Sequence, residues 1–312
     1  MSGEARAGGR LVAEWGVHRA AVFGAAYRLL GSVADAEDVT QDVWLRAAGA
    51  DLERVDDLRA WLVTVAARRA LDLLRSARAR RETYVGPWLP EPLLTGPDAA
   101  ETVLVDESVS TAMMLVMEEL RPPERVALVL HDVFGVEFAR IAEVLGGSVA
   151  AARQHAARAR RRVAGAREEA AQAPRASRAE RERVLAGFRA ACLAGDLAAL
   201  VRLLHPDAVY LTDGGGEVLA ARKPIVGGER VAMVMLRVAG RLPPPRIELI
   251  EVGGEPALLV VRRGRVYAVD TAAIGADGLI TAYRRLLAPS KLAHLSPARS
   301  SCVTSGPAAP SA

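Results

Sequence analysis

The chain has 312 residues, enough for two or three domains, and its 51% apolar and 25% charged residues exclude wholesale disorder. No apolar run approaches the about 18 residues of a membrane helix, and the N-terminus lacks a charged-then-apolar signal pattern, so the expectation is a cytoplasmic protein with no membrane partner. Two cysteines and five scattered histidines exclude a disulfide framework and a histidine metal cluster, and the net charge of +4 rests on 41 basic residues, all but Lys223 and Lys291 arginine.

Residues 14–80 carry apolar positions at helical spacing in AVFGAAYRLL, DVTQDVWLRAA and LRAWLVTVAARRALDLLR, which predicts consecutive helices. Gly31-Ser32 separates the first two, and Ala34-Asp35 offers an N-cap. Charge is segregated here. Asp35–Asp57 holds eight acids against two bases, whereas Arg59–Arg81 holds seven bases (59, 68, 69, 75, 78, 80, 81) against Asp72 alone. Screening acts over about 8 Å, so each surface can present its own sign to a partner. A solvated helix face explains either cluster singly. The two together, with Trp44 and Trp61 on the same helices, favour a protein contact on one side and nucleic acid on the other.

Residues 82–107 break the helical rhythm with four prolines and two glycines in ETYVGPWLPEPLLTGPD, the signature of an extended linker. Its Trp88-Leu89-Pro90-Glu91-Pro92 reads equally as a stiff spacer or as a segment docked through the indole.

Residues 108–168 are helical again, with a stop and restart at Arg121-Pro122-Pro123. Phe138, Ile141, Ala142 and Leu145 form one apolar face, Gly146-Gly147 makes a turn, and Ser148 is a good N-cap for a helix carrying Arg153, Gln154, His155, Arg158, Arg160, Arg161 and Arg162. Turn, cap and charge agree on a helix-turn-helix whose second helix enters a major groove; the plainer alternative is a two-helix hairpin with a basic face.

Residues 178–197 give one more helix, followed by short β-branched runs cut by glycines, with a helix over GGERVAMVMLRVAG between them, so 178–288 is an α+β module. Asp213-Gly214-Gly215-Gly216-Glu217 reads as a hairpin turn; no Lys-Ser/Thr follows, which excludes a P-loop. His205, Asp207, Tyr210 and Asp213 are close enough in sequence to line an isomerase-like pocket, but their spacing does not require one. Residues 289–312 are Ser/Pro/Ala-rich and read as a mobile tail.

GSVADAEDVTQDVWLRA followed by LRAWLVTVAARRALDLLRSARARRE resembles region 2 of bacterial extracytoplasmic-function sigma factors, and ELRPPERVALVLHDVFGVEFARIAEVLGGSVAAARQHAARARRRV resembles their region 4. WLPEP, DGGGEV and APSKL resemble the marks of the sigma-J type, which carries a fused SnoaL-like domain. The resemblance implies all-α region 2 (10–81) and region 4 (108–168) domains joined by the linker (82–107), then an α+β SnoaL/NTF2-like domain (178–288) and the tail. It implies a non-enzymatic promoter-recognition protein with no cofactor, no metal and no catalytic residue. The partners implied are core RNA polymerase and promoter DNA at its −35 and −10 elements. A small ligand at the C-terminal domain is a further possibility. Carried over by motif, Asp35, Asp38, Gln41, Asp42, Trp44 and Leu45 would meet polymerase. Arg54, Asp56, Leu58, Trp61, Arg68, Arg69, Asp72 and Arg75 would handle the −10 element, and Ser148, Arg153, Gln154, Arg158, Arg161 and Arg162 the −35 element. Trp88, Pro90, Glu91, Asp213, Gly214, Gly215, Gly216 and Lys291 would make regulatory contacts. Two positions depart from the subgroup: Glu217 stands where Lys or Arg is usual, and Ala288-Pro289-Ser290-Lys291-Leu292 where Asn-Pro-Asp-Lys-Leu is usual. The rival readings are a helix-turn-helix regulator independent of polymerase, and a C-terminal module with ligand-binding or isomerase-like activity.

Overall fold

The computed structural model describes residues 2–81, 84–95, 110–172 and 176–295. The chain divides into two compact units, Met1–Tyr84 with Glu101–Ala173, and Val85–Ala100 with Pro174–Ala312. Among the described residues no helix is long and apolar enough to cross a membrane.

The first unit is helical. α1 (Ser2–Leu30), α2 (Val33–Ala48) and α3 (Leu58–Arg81) pack around Phe23, Tyr27, Val39, Val43, Leu62 and Ala66, all buried; each large apolar side chain so placed contributes about 1.5–3 kcal/mol. The cap of α2 lies earlier than Ala34-Asp35. Ser32 adopts an extended conformation and its hydroxyl accepts the Asp35 N–H at 3.1 Å. α4 (Thr111–Glu118) is capped by Ser110. α5 (Pro122–Leu128) begins on the two prolines and continues through a wider turn at Val129–Val133. α6 (Phe138–Leu145) and α7 (Val149–Gln172) form the expected helix-turn-helix. Gly146 makes the turn with φ +67°, a conformation costly for any residue with a Cβ, and Ser148 Oγ accepts the Ala151 N–H at 3.1 Å. Ala152, Ala156 and Ala159 are buried, so α7 approaches its neighbours closely.

The second unit begins with α8 (Arg178–Ala194) and α9 (Leu197–Leu203). A single helix through 197 is not formed, because Gly195 turns left-handed and Asp196 starts a new helix by accepting the Ala199 N–H at 2.9 Å. β1 (Leu204–Asp213), β2 (Ile225–Val226), α10 (Gly228–Ala239), β3 (Arg246–Val252), β4 (Glu255–Arg262), β5 (Arg265–Ile274) and β6 (Ile280–Leu286) follow. The six strands lie in the order β2-β1-β6-β5-β4-β3, antiparallel except for the β1–β6 pair. Phe188, Leu200, Val231 and Met235 of the helices cover Tyr210, Leu258 and Tyr283 of the sheet, giving the expected α+β layout.

Two expected loose segments are ordered. Residues 289–295 are not a mobile tail: α11 (Pro289–Leu292) is seated by buried Leu292 and Leu295. Residues 296–312 lie outside the described residues. Within the linker, residues 84–95 belong to the second unit. Thr95 N–H donates to Glu251 O at 3.1 Å, Gly253 N–H donates to Leu93 O at 2.9 Å, and Leu94 bridges Val252. Residues 96–107 lie outside the described set.

Candidate functional site

The acidic surface sits on α2. Asp38, Gln41 and Leu45 are exposed, and Asp35, Asp42 and Trp44 half-buried. Leu45 leaves 63% of its surface in water, an apolar side chain beside carboxylates. Trp15 of α1 packs edge-on against Trp44 with centroids 5.0 Å apart, and Arg19 pairs with Glu37 at 2.8 Å. Asp42 already has a partner within the unit: Arg69 Nε of α3 donates to it at 2.8 Å. That pair joins a residue expected on the protein-binding face to one expected on the nucleic-acid face. At its exposure it is worth about 0–1 kcal/mol.

α3 carries the basic surface. Asp57 caps it, accepting the Ala60 N–H at 2.9 Å. Leu58, expected in the DNA-contacting loop, is buried in the helical core and cannot touch a base without unfolding the start of α3. Arg54 and Asp56 remain exposed before it, and Trp61 is half-buried. Asp72 and Arg75 form an exposed pair at 3.8 Å. Arg68 reaches Glu143 of α6 at 3.7 Å, and Arg59 lies over the Phe134 ring at 5.5 Å. The side chains of Arg78, Arg80 and Arg81 lie outside the described set.

α3 therefore meets the helix-turn-helix half of the same unit, and two buried arginines secure the joint. Arg125 of α5 donates through Nε to Arg28 O of α1 at 3.0 Å and through Nη1 to Glu118. Burial pushes its pKa down to about 9, with Tyr27 opposing. Arg28 is itself buried, donating to Gly24 O at 2.9 Å with its guanidinium 5.9 Å from the Phe134 ring. In a chain this rich in arginine, nothing in the sequence singles these two out.

On α7, Arg153, Gln154, Arg161 and Arg162 are exposed, and Arg153 stacks over Phe138 at 5.7 Å. Arg158 does not join them. Its Nε donates to Glu124 at 3.1 Å and its Nη2 to His155 Nδ1 at 3.0 Å, so it braces α7 against α5. Burial raises the Glu124 pKa, but hydrogen bonds from Arg121 and Arg158 outweigh it and the net shift is downward. Burial, then the Arg158 charge, pushes His155 below its usual value. Arg160 is similarly spent on Asp132, at 2.8 Å through Nε.

In the second unit the linker and glycine motifs meet in one buried knot. The Asp213 carboxylate, fully buried, accepts the Leu89 N–H at 2.7 Å, the Gly215 N–H at 2.9 Å and Lys291 Nζ at 2.7 Å. Lys291 also donates to Leu89 O at 2.7 Å and sits 4.4 Å above the Trp88 ring. Pro90 and Glu91 are buried beside it. The glycines are needed for close approach: a Cβ on Gly214 would lie 2.5 Å from Val218 O, and one on Gly215 2.9 Å from Ala288. Glu217 and Ser290, the two departures, meet each other, with Ser290 Oγ and Ser290 N–H both donating to the Glu217 carboxylate.

The structure does not gather His205, Asp207, Tyr210 and Asp213 into one pocket. Asp207 is exposed, Tyr210 is buried 6.0 Å from Tyr283, and Asp213 belongs to the knot. A polar cluster that sequence reading missed lies on the helix-covered face of the sheet. Asp270 is gripped by Arg285 through two hydrogen bonds of 2.7 Å and by Tyr283 OH at 2.7 Å. Burial and the Asp270 charge raise the Tyr283 pKa well above normal, and burial pushes the nearby Cys192 thiol up to about 12. Such groups are poor bases and poor nucleophiles near neutral pH.

The family model described as Sigma-70 region 2 matches residues 16–80, and that described as Sigma-70, region 4 matches residues 110–163. The ECF RNA polymerase sigma factor SigJ of Mycobacterium tuberculosis is 45% identical over 236 residues, 75% of this chain and 74% of that protein. A probable ECF RNA polymerase sigma factor, SigI, of the same species is 34% identical over 283 residues, covering 90% of this chain and 94% of that one. The crystal structure of M. tuberculosis SigJ matches with a TM-score of 0.69 and 39% identity, over 92% of this chain and 99% of that chain.

Proposed function

This chain belongs to the extracytoplasmic-function RNA polymerase sigma factors, and from that premise we propose which surface performs each part of promoter recognition. As a sigma factor it directs core RNA polymerase to promoters and works where chromosome and polymerase meet, in the cytoplasm. Asp35, Asp38, Gln41, Trp44 and Leu45 on α2 receive polymerase. Carboxylates steer a basic partner to the face, and Leu45 supplies apolar area that association removes from water. Arg54, Asp56, Trp61 and Arg68 engage the −10 element, where an indole can stack on an unpaired base. Ser148, Arg153 and Gln154 at the start of α7 read −35 base edges, and Arg161 and Arg162 further along hold phosphates.

These assignments require the first unit to open. Elements centred about 25 base pairs apart are separated by about 80 Å along B-DNA. Arg68 and Glu143 are only 3.7 Å apart here. The arrangement with Arg125 buried against α1 is therefore a resting form, and promoter engagement separates its two halves. In the second unit, the Asp213–Lys291 knot holds the linker segment 84–95, and so sets the length of chain free to span the two elements. The C-terminal module acts as a built-in regulator, a reading supported by the engagement of its buried carboxylate Asp270 by Arg285 and Tyr283. The observation that carries the reading is exposed Leu45 on an acidic helix, in the same unit as an arginine-faced helix-turn-helix. The test is run-off transcription with core polymerase on genomic fragments. Promoter-specific starts that require this chain are expected; core binding without any added initiation would overturn it.

A further inference from the structure

In the second unit the guanidinium of Arg262 is half-buried and has no acceptor among the described residues. Arg262, the last residue of β4, has Nε and Nη1 both buried without a hydrogen-bond partner. Two other half-buried arginines of the unit have carboxylate partners: Arg285 pairs with Asp270 and Arg181 with Glu255. Arg262 has only the face of Tyr267, its Cζ 5.1 Å from the ring centroid. A desolvated charge with no counter-ion is unfavourable, and a protein normally avoids one by pairing it or leaving it in water. Arg262 remains partly exposed as a residue, so a solute can approach it.

The surroundings restrict what that solute is. Arg262, Arg285 and Asp270 together leave one positive charge uncompensated, which calls for a monoanion. Beside the Arg262 guanidinium, half-buried Tyr267, Ile247 and Ala220 pack over the buried Val260, Ala268 and Leu287, and their outer sides are the apolar surface there. A multiply charged, heavily hydrated anion such as phosphate gains nothing from that patch, whereas a carboxylate on an apolar body satisfies both halves. We propose that Arg262 and Tyr267 form a binding site for a small apolar monocarboxylate in the C-terminal domain, an inference resting on the reading of that domain as a regulator. Burial, together with the Arg285 charge, already depresses the Arg262 pKa, with Tyr267 opposing, and a bound carboxylate relieves both strains.

The test is isothermal titration of the full chain with hexanoate, with hexanol as the uncharged counterpart and inorganic phosphate as the anion lacking an apolar body. Hexanoate is expected to bind saturably, and the other two at least about tenfold more weakly. Arg262→Met keeps the apolar stem and should weaken hexanoate at least about tenfold, while Tyr267→Leu weakens it with the charge intact. Circular dichroism confirms that each variant is folded. Absence of saturable hexanoate binding, equal binding of hexanol or phosphate, or unchanged affinity in folded Arg262→Met would each overturn the assignment. The titration contains neither polymerase nor DNA, so its failure leaves the promoter-recognition reading untouched.

Discussion

Replacing Lys291 with methionine isolates the energetics of the knot. The Lys291 side chain is 11% exposed and its partner Asp213 0%, so the variant leaves a carboxylate in the interior without a counter-charge. Breaking a buried pair in this way costs about 3–5 kcal/mol. The Leu89 and Gly215 N–H groups still solvate Asp213, which favours the lower end, about 3 kcal/mol. Because the chain forms two units, a single global unfolding energy is poorly defined, and a local readout is preferable. Native-state hydrogen exchange at the Leu89 amide supplies it. At about 1.4 kcal/mol per decade, protection should fall by about a hundredfold. Asp213→Asn combined with Lys291→Met removes both charges while keeping an acceptor for Leu89. It should recover about half of the loss, so that the double variant costs about 1.5 kcal/mol, well below the sum of the two single variants. A single-variant loss below about 1 kcal/mol, or strict additivity in the double variant, would refute the claim that this pair holds the linker down.

Four further outcomes are expected. Leu45→Arg should leave the melting temperature unchanged and weaken core polymerase about tenfold or more in a fluorescence binding assay, since a buried leucine is worth about 1.5–3 kcal/mol. Arg153→Ala should cost about 1–3 kcal/mol in discrimination between cognate and mutated −35 duplexes, measured by anisotropy, whereas Arg162→Ala should weaken all sequences equally and flatten the salt dependence. Glu217→Lys removes the acceptor of both Ser290 donors and should destabilise the α11 contact by about 1–2 kcal/mol, with partial rescue by Ser290→Asp, in urea unfolding of the paired variants. His155 has its folded-state pKa depressed, primarily by burial, so the unfolded chain takes up this proton first as pH falls below about 6.5. Stability of the first unit should therefore decline below that pH, and His155→Gln should flatten the decline in a denaturation series.

Local signals in the sequence predicted the helical elements well, and long-range pairing explains what they missed. The apolar spacing of 14–80 and 108–165 and the Gly146–Ser148 turn are properties of neighbours in sequence, and the helices follow them. The cap of α2 at Ser32 lies ahead of Ala34-Asp35 because Ser32 and Asp35 are both good capping residues within one turn. The tail was misread because Ser, Pro and Ala imply mobility, whereas 289–295 is ordered by Lys291 reaching Asp213, 78 positions earlier. Arg158 and Arg125 could not be told from solvent-facing arginines, since only the fold brings Glu124 and the Arg28 carbonyl to them. Leu58 was assigned by its motif position, but its apolar side chain follows the core. The scarcity of lysine offered one unused hint: a chain that almost always writes arginine writes lysine at 291, where a single compact ammonium bonds Leu89 O and Asp213 at once.

Residues 85–100 interrupt the helical unit in sequence yet belong to the other one, so the polypeptide passes from unit to unit three times before its end. Excising everything after 173 would not yield a clean miniature. It would strip the cover from Leu89, Pro90, Pro92 and Leu93 and leave a greasy strap dangling from the remainder. Activity gained or lost by such a shortened protein would report the exposed strap as much as the missing domain.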